Sequence, residues 1–99
     1  MILEVAILDI VPSQEHDFQN DFVKASIIIS SMKGYINHEL KRCLEKRSRY
    51  ILLVNWETLE DHTEGFRSSP KYHEWKQLLH HYYDPFPEVE HYESISFKR

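Results

Sequence analysis

Two segments of this chain are apolar on both of their alternating faces: "ILEVAILDIV", residues 2–11, and "YILLVNW", residues 50–56. Successive side chains of a β-strand point to opposite faces of its sheet, so a strand with one wet face alternates apolar and polar residues. Here Leu3, Val5 and Ile7 share one face, and Ile2, Ala6 and Leu8 share the other. Both faces must therefore be covered. A chain of 99 residues makes one domain with a modest core. The economical cover for the second face is a second copy of the same sheet, and a homodimer is expected.

The intervening residues supply the other elements. Pro12 closes the first strand, because proline cannot donate to a ladder, and Ser13 is then the expected N-cap of a helix. Phe18, Phe22, Ala25, Ile29 and Met32 follow at helical steps and form a core-facing stripe. Gly34 stands where helices commonly end in a left-handed residue. Residues 35–46 alternate as a second strand, and "EKRSR" reads as a hairpin connection to the third. "TLED", residues 58–61, fits a capping box opening a short helix over about residues 59–67. Ser69 and Pro70 restart a second one that carries Tyr72, Trp75, Leu79 and Tyr83 on one face. "PFP" then forces extended backbone, and the last strand is expected at about residues 88–97.

The order strand, helix, strand, strand, broken helix, strand is a split βαβ pattern. It predicts an α+β, ferredoxin-like (βαββαβ) fold as a single domain over residues 1–99. Its antiparallel four-stranded sheet would run 4-1-3-2, with helices on one face only.

Composition excludes several function classes. The net charge is −4 and no stripe of Lys and Arg appears, so nucleic acid is not an expected partner. The N-terminal run carries Glu4 and Asp9 and lacks a basic leader, so neither a signal peptide nor a membrane span is expected. Cys43 is the only cysteine, and a reducing cytoplasm is the simplest compartment.

Seven histidines invite a metal reading that their spacing does not sustain. "HEWKQ" and "HELKR" each lack the second histidine of a helical zinc pair, with Gln77 and Arg42 in its place. His73 and His80 are separated by roughly 10 Å of helix rise. His38 and His91, on opposite edges of the expected sheet, are roughly 14 Å apart. No metal is expected. His80 and His81 close the second helix, where cationic or polar aromatic side chains suit the negative dipole end, and Tyr82 and Tyr83 anchor it. His38 and His91 sit within apolar alternations, where a histidine is either a hydrogen-bonded core residue or a proton-handling one. Trp56, Phe66, Tyr72 and Trp75 are either the wall of a pocket or the core between helix and sheet.

"WETLEDHTEGFRSSPKYHEW", residues 56–75, resembles the signature of the antibiotic biosynthesis monooxygenase domain: a Trp-Glu-Thr ending the third strand, an acidic turn, a histidine, and "SP-x-Y" opening the next helix. "KGY" after the first helix also suits it. The resemblance implies a dimeric α+β barrel with a site between the helices and sheet of one subunit. It implies a small cofactor-independent monooxygenase acting on a hydroxylated aromatic or quinol-type molecule, with no cofactor. It places Trp56 on the wall of that site and His62 where a base belongs. His38 is the second catalytic candidate, and Trp56, Phe66, Tyr72, Trp75 and His91 are the substrate-binding ones. The family's haem degraders use an Asn, a Trp and a His for which this chain offers no first-strand Asn, Phe66 and Lys76, so haem is not expected. A non-catalytic ligand-binding or structural dimer of the same fold, or an isomerase on it, remains open, and the partner in each case is a small apolar or aromatic molecule.

Overall fold

The computed structural model describes residues 1–97. The elements are β1 (Ile2–Asp9), α1 (Glu15–Ser30), β2 (Tyr35–Arg42) and β3 (Arg49–Trp56), then a π-helical segment (Asp61–Phe66), α2 (Pro70–Leu79), a 3-10 turn (His80–Tyr82) and β4 (Val89–Tyr92). The antiparallel sheet runs β2-β3-β1-β4, the order expected for a ferredoxin-like α+β fold. β1 pairs with β3 from Ile2 opposite Trp56 to Asp9 opposite Arg49, and with β4 from Leu3 opposite Tyr92 to Ala6 opposite Val89.

Both helices cover one face of this sheet. Ala6 and Leu8 of β1 and Tyr50, Leu52, Val54 and Trp56 of β3 point into the core, where Phe18, Phe22, Ala25 and Ile29 of α1 meet them with Trp75 and Leu79 of α2. The sequence stripe on α1 is thus the buried stripe. Ser69 Oγ accepts from the Tyr72 amide at 3.1 Å, the expected cap. At residues 58–61 only half of the expected capping box is present: Thr58 Oγ1 accepts from the Asp61 amide at 3.1 Å, and the Asp61 carboxylate lies against Gly34 instead. The opposite sheet face carries Leu3, Val5, Ile51 and Leu53, all partly exposed, and Ile7 at 40% exposure. Among the described residues no helix covers that face, and none is long and apolar enough to cross a membrane.

Four expectations are corrected. Ser13 is not the cap of α1. It has φ 74°, as the third residue of a β-turn closed by the Gln14 amide on the Val11 carbonyl at 3.1 Å. Proline second and a positive φ third is the type II pattern, so Pro12 spends Ser13 on the turn, and Gln14 flanks the helix without a side-chain cap. Secondly, α1 ends at Ser30, and Gly34 (φ 84°) serves instead the turn into β2, which the Tyr35 amide closes on the Met32 carbonyl at 3.2 Å. Thirdly, β4 stops at Tyr92, opposite Leu3, and residues 93–97 do not pair. Fourthly, Tyr83 leaves the helical face. A 3-10 turn follows Leu79, and Tyr83 takes extended backbone bridged to Ile10.

Gly34 also packs against the π-helical segment. A Cβ there would lie 2.1 Å from Asp61 Oδ2 and 2.6 Å from Asp61 Cβ. Gly34→Ala should destabilise the protein by at least about 1–2 kcal/mol from its left-handed backbone alone. At roughly 4–8 °C per kcal/mol for a domain of this size, thermal unfolding will show the drop, and an unchanged Tm would contradict this packing.

Candidate active site

Four elements converge on one buried acid. Glu4 points from β1 to the helix side, opposite Val54 on β3 and His91 on β4, and is 5% exposed. Trp56 closes β3 and donates its indole N–H to Glu4 Oε1 at 2.9 Å. His62 comes from the π-helical segment, whose wide turn buries both His62 and Phe66. Such segments are rare and frequent at functional sites. Its Nε2 lies 3.3 Å from the same Glu4 Oε1, and its Nδ1 lies 2.8 Å from His91 Nε2. The ring stacks on Trp56, with centroids 5.4 Å apart and planes 22° apart.

Burial dominates the electrostatics. Removing Glu4 from water disfavours its charged form and raises its pKa to about 7, against the Trp56 hydrogen bond and the field of Arg67, which favour the carboxylate. Burial acts in the opposite sense on His62, which falls to about 3, with Arg67 and His91 adding to the fall. His91 is also lowered, by burial and then Arg67. Near neutral pH His62 is therefore a neutral ring, and its 3.3 Å approach to Glu4 is a polar contact rather than an ion pair.

Glu4 and His62 face a cavity of about 350 Å³ between the sheet and α2. Ala6, Leu8 and Leu52 line its sheet side, and Phe66, Tyr72 and Trp75 its helix side. The exposed Arg67 and Phe86 stand at the mouth. The aromatic rings interlock, with Phe66 edge-on to Tyr72 at 5.2 Å and to Trp75 at 5.6 Å.

Of the residues singled out from sequence, His62, Phe66, Tyr72 and Trp75 meet at this cavity. Trp56 and His91 do not line it. Trp56 is fully buried behind His62, and His91 is bonded to the far ring nitrogen. His38 is elsewhere: it is hydrogen-bonded to the Tyr35 hydroxyl and packed edge-on against Phe22, beyond β3 from the cavity. Sequence reasoning missed Glu4, His80 and Tyr83 as cavity residues. The signal for Glu4 was present, as an acid in register with Ala6 and Leu8 on a face that must be buried. Among the described residues, no group of three or more His, Cys, Asp or Glu is placed to hold a metal ion.

The raised pKa fixes a sign. The folded state holds the Glu4 proton more tightly than the unfolded chain, so the stability that Glu4 contributes falls as pH rises from about 4.5 through about 7. Glu4→Gln keeps an acceptor for Trp56 and removes the charge. It should leave stability near pH 4 little changed and raise it by about 3 kcal/mol at pH 8, the size of the shift. Denaturant unfolding at the two pH values measures this, and a destabilised variant at pH 8 would contradict it.

Known proteins share this architecture. The family model "Antibiotic biosynthesis monooxygenase" matches residues 1–78. The uncharacterized protein YczJ of Bacillus subtilis (strain 168) is 55% identical over 95 residues, which cover 96% of this chain and all of that protein. A crystal structure from Bordetella bronchiseptica, assigned to the antibiotic biosynthesis monooxygenases, is 30% identical with a TM-score of 0.91, over 96% of this chain and 97% of that one. SnoaB, a cofactor-independent oxygenase from Streptomyces nogalater, shares the fold at a TM-score of 0.83 and 14% identity, over 97% of this chain and 94% of its own. Together these matches show that the chain belongs to the antibiotic biosynthesis monooxygenase family.

Proposed function

We propose that the protein is a cofactor-independent oxygenase of a hydroxylated aromatic or quinol-type molecule, with Glu4 as its base. The observation that carries this reading is a buried carboxyl, with a pKa near 7, facing an aromatic-lined cavity of about 350 Å³. A general base works best when its pKa lies near the working pH. Burial makes His62 too weak a base for that task, so the role expected for the histidine passes to the carboxylate beside it. His62 then orients that carboxylate, and Trp56 holds it from behind.

The chemistry follows from the site. The Glu4 carboxylate takes a proton from the activated O–H or C–H of the ring system. The resulting electron-rich carbanion, held between Phe66, Tyr72 and Trp75, adds its electron pair to molecular oxygen and forms a C–O bond. The peroxide anion takes the proton back from Glu4. Loss of the remaining hydrogen on that carbon, with O–O cleavage, leaves a carbonyl and releases water. The apolar walls keep water from the anion, and the Arg67 cation at the mouth lies close enough to favour it electrostatically.

Oxygen uptake with a panel of quinols and anthrones tests the reading. One or more should be consumed with one oxygen each, at a rate that rises with pH through about 7. Glu4→Gln should lower turnover roughly a hundredfold or more. Deuterium exchange into the substrate without oxygen uptake would instead identify an isomerase, and binding without either reaction a non-catalytic ligand carrier.

The same proposal includes a dimer. The row Leu3, Val5, Ile51 and Leu53 on the open sheet face is apolar and uncovered within the chain, and a second copy is its natural cover. Light scattering at micromolar concentration should give twice the 12.0 kDa chain mass. A stable monomer would contradict it.

A further inference from the structure

His91 lies on the edge strand, touches no substrate space, and yet ends a chain of close polar contacts that starts at the buried acid: Glu4 to His62 at 3.3 Å, then a hydrogen bond between the two rings. The chain admits only two hydrogen arrangements. The indole N–H of Trp56 can only donate, so it serves Glu4 Oε1 in both. A neutral imidazole carries one N–H and one acceptor nitrogen. At 2.8 Å, His62 Nδ1 and His91 Nε2 share one hydrogen, so one ring donates and the other accepts. If His91 donates, His62 must carry its own hydrogen on Nε2, facing Glu4 Oε1. That arrangement suits an ionised Glu4, which accepts from Trp56 and faces the His62 Nε2–H at 3.3 Å. If His62 donates to His91, its bare Nε2 faces the acid, and the contact is favourable only when Glu4 Oε1 is itself protonated.

We propose that His91 is a positioning residue: by donating from Nε2 to His62 Nδ1 it fixes the hydrogen of His62 on Nε2 and so holds Glu4 as the ionised base. This rests on the oxygenase reading for its consequence in catalysis, but not for the hydrogen arrangement itself. The groups facing Glu4 from the surrounding elements leave that donor without a substitute. Val54 on β3 is apolar, and Trp56 is already committed. Tyr72 of α2 and Tyr83 of the following loop keep their phenol protons because burial suppresses ionisation, but among the described residues neither hydroxyl is hydrogen-bonded to Glu4. Arg67 acts on Glu4 through its field and lowers both histidines in the same way, so it favours two neutral rings. His80 also lines the cavity, and burial lowers it too.

The test compares His91→Gln with His91→Phe. The Gln amide can donate where His91 Nε2 does, whereas Phe cannot donate at all. Nitrogen-15 NMR of the His62 ring, above pH 7, should show the Nε2–H tautomer in the parent protein and in His91→Gln. In His91→Phe it should show a shift toward Nδ1–H. The rise of oxygen uptake with pH should move upward by about one unit in His91→Phe, the effect of one lost hydrogen bond to a carboxylate, and should return toward the parent value in His91→Gln. A parent His62 in the Nδ1–H form at that pH would overturn the proposal, as would an unchanged tautomer in a folded His91→Phe. The ring spectra need no substrate, so they decide this point even if no quinol is oxidised. If His91→Phe fails to fold, the parent and His91→Gln tautomers decide it instead.

Discussion

The site depends on the burial of one carboxyl group. An acid at Glu4 sits in a strand whose neighbours on the same face, Ala6 and Leu8, are core residues, so the chain must either neutralise it or surround it with donors. An unpaired buried charge is among the most unfavourable groups a fold can carry. This fold does some of both. Trp56 and His62 present nitrogens to one oxygen, and burial leaves the acid poised between charged and neutral forms near pH 7. The register of β1 with β3 brings the neighbourhood of Trp56 to Glu4, the β1–β4 register places His91 opposite it, and the π-helical segment delivers His62 between them. Moving any one of these strands by one residue would turn its side chain to the other face.

Much of this fold was legible because its signals are local and periodic. The stripe on α1, the capping residues Thr58 and Ser69, and the two-faced apolar strands follow from repeat lengths that the backbone imposes. The errors came where two local signals competed. Pro12 and Ser13 could open a helix or close a type II turn, and the turn won because proline presets its second position. The extent of β4 was illegible for a different reason. The extent of an edge strand depends on its partner, and nothing in "VEHYESISF" records that the pairing with β1 stops at Leu3.

The candidate site was half legible. Residues on the helix side, Phe66, Tyr72 and Trp75, advertised themselves by aromatic bulk at helical spacing, and the family resemblance placed His62 beside Trp56. Glu4 did not, because a single acid in a hydrophobic strand reads first as a charge and only in three dimensions as a buried one. The relation between His62 and His91 was equally hidden. They are 29 residues apart in sequence, and whether their nitrogens meet depends on the sheet register. His38 shows the converse, a histidine of the same apparent kind that the register places against Phe22 and Tyr35 instead.

The titration of Glu4 itself tests the account most directly. Carbon-13 NMR of the side-chain carboxyl, followed from pH 3 to pH 9 in the unliganded protein, reports its midpoint without any assumption about substrate. A midpoint near 7 is expected. A midpoint at the ordinary glutamate value of about 4.5 would mean that water reaches the carboxylate freely, and the poised base on which the functional reading rests would be gone.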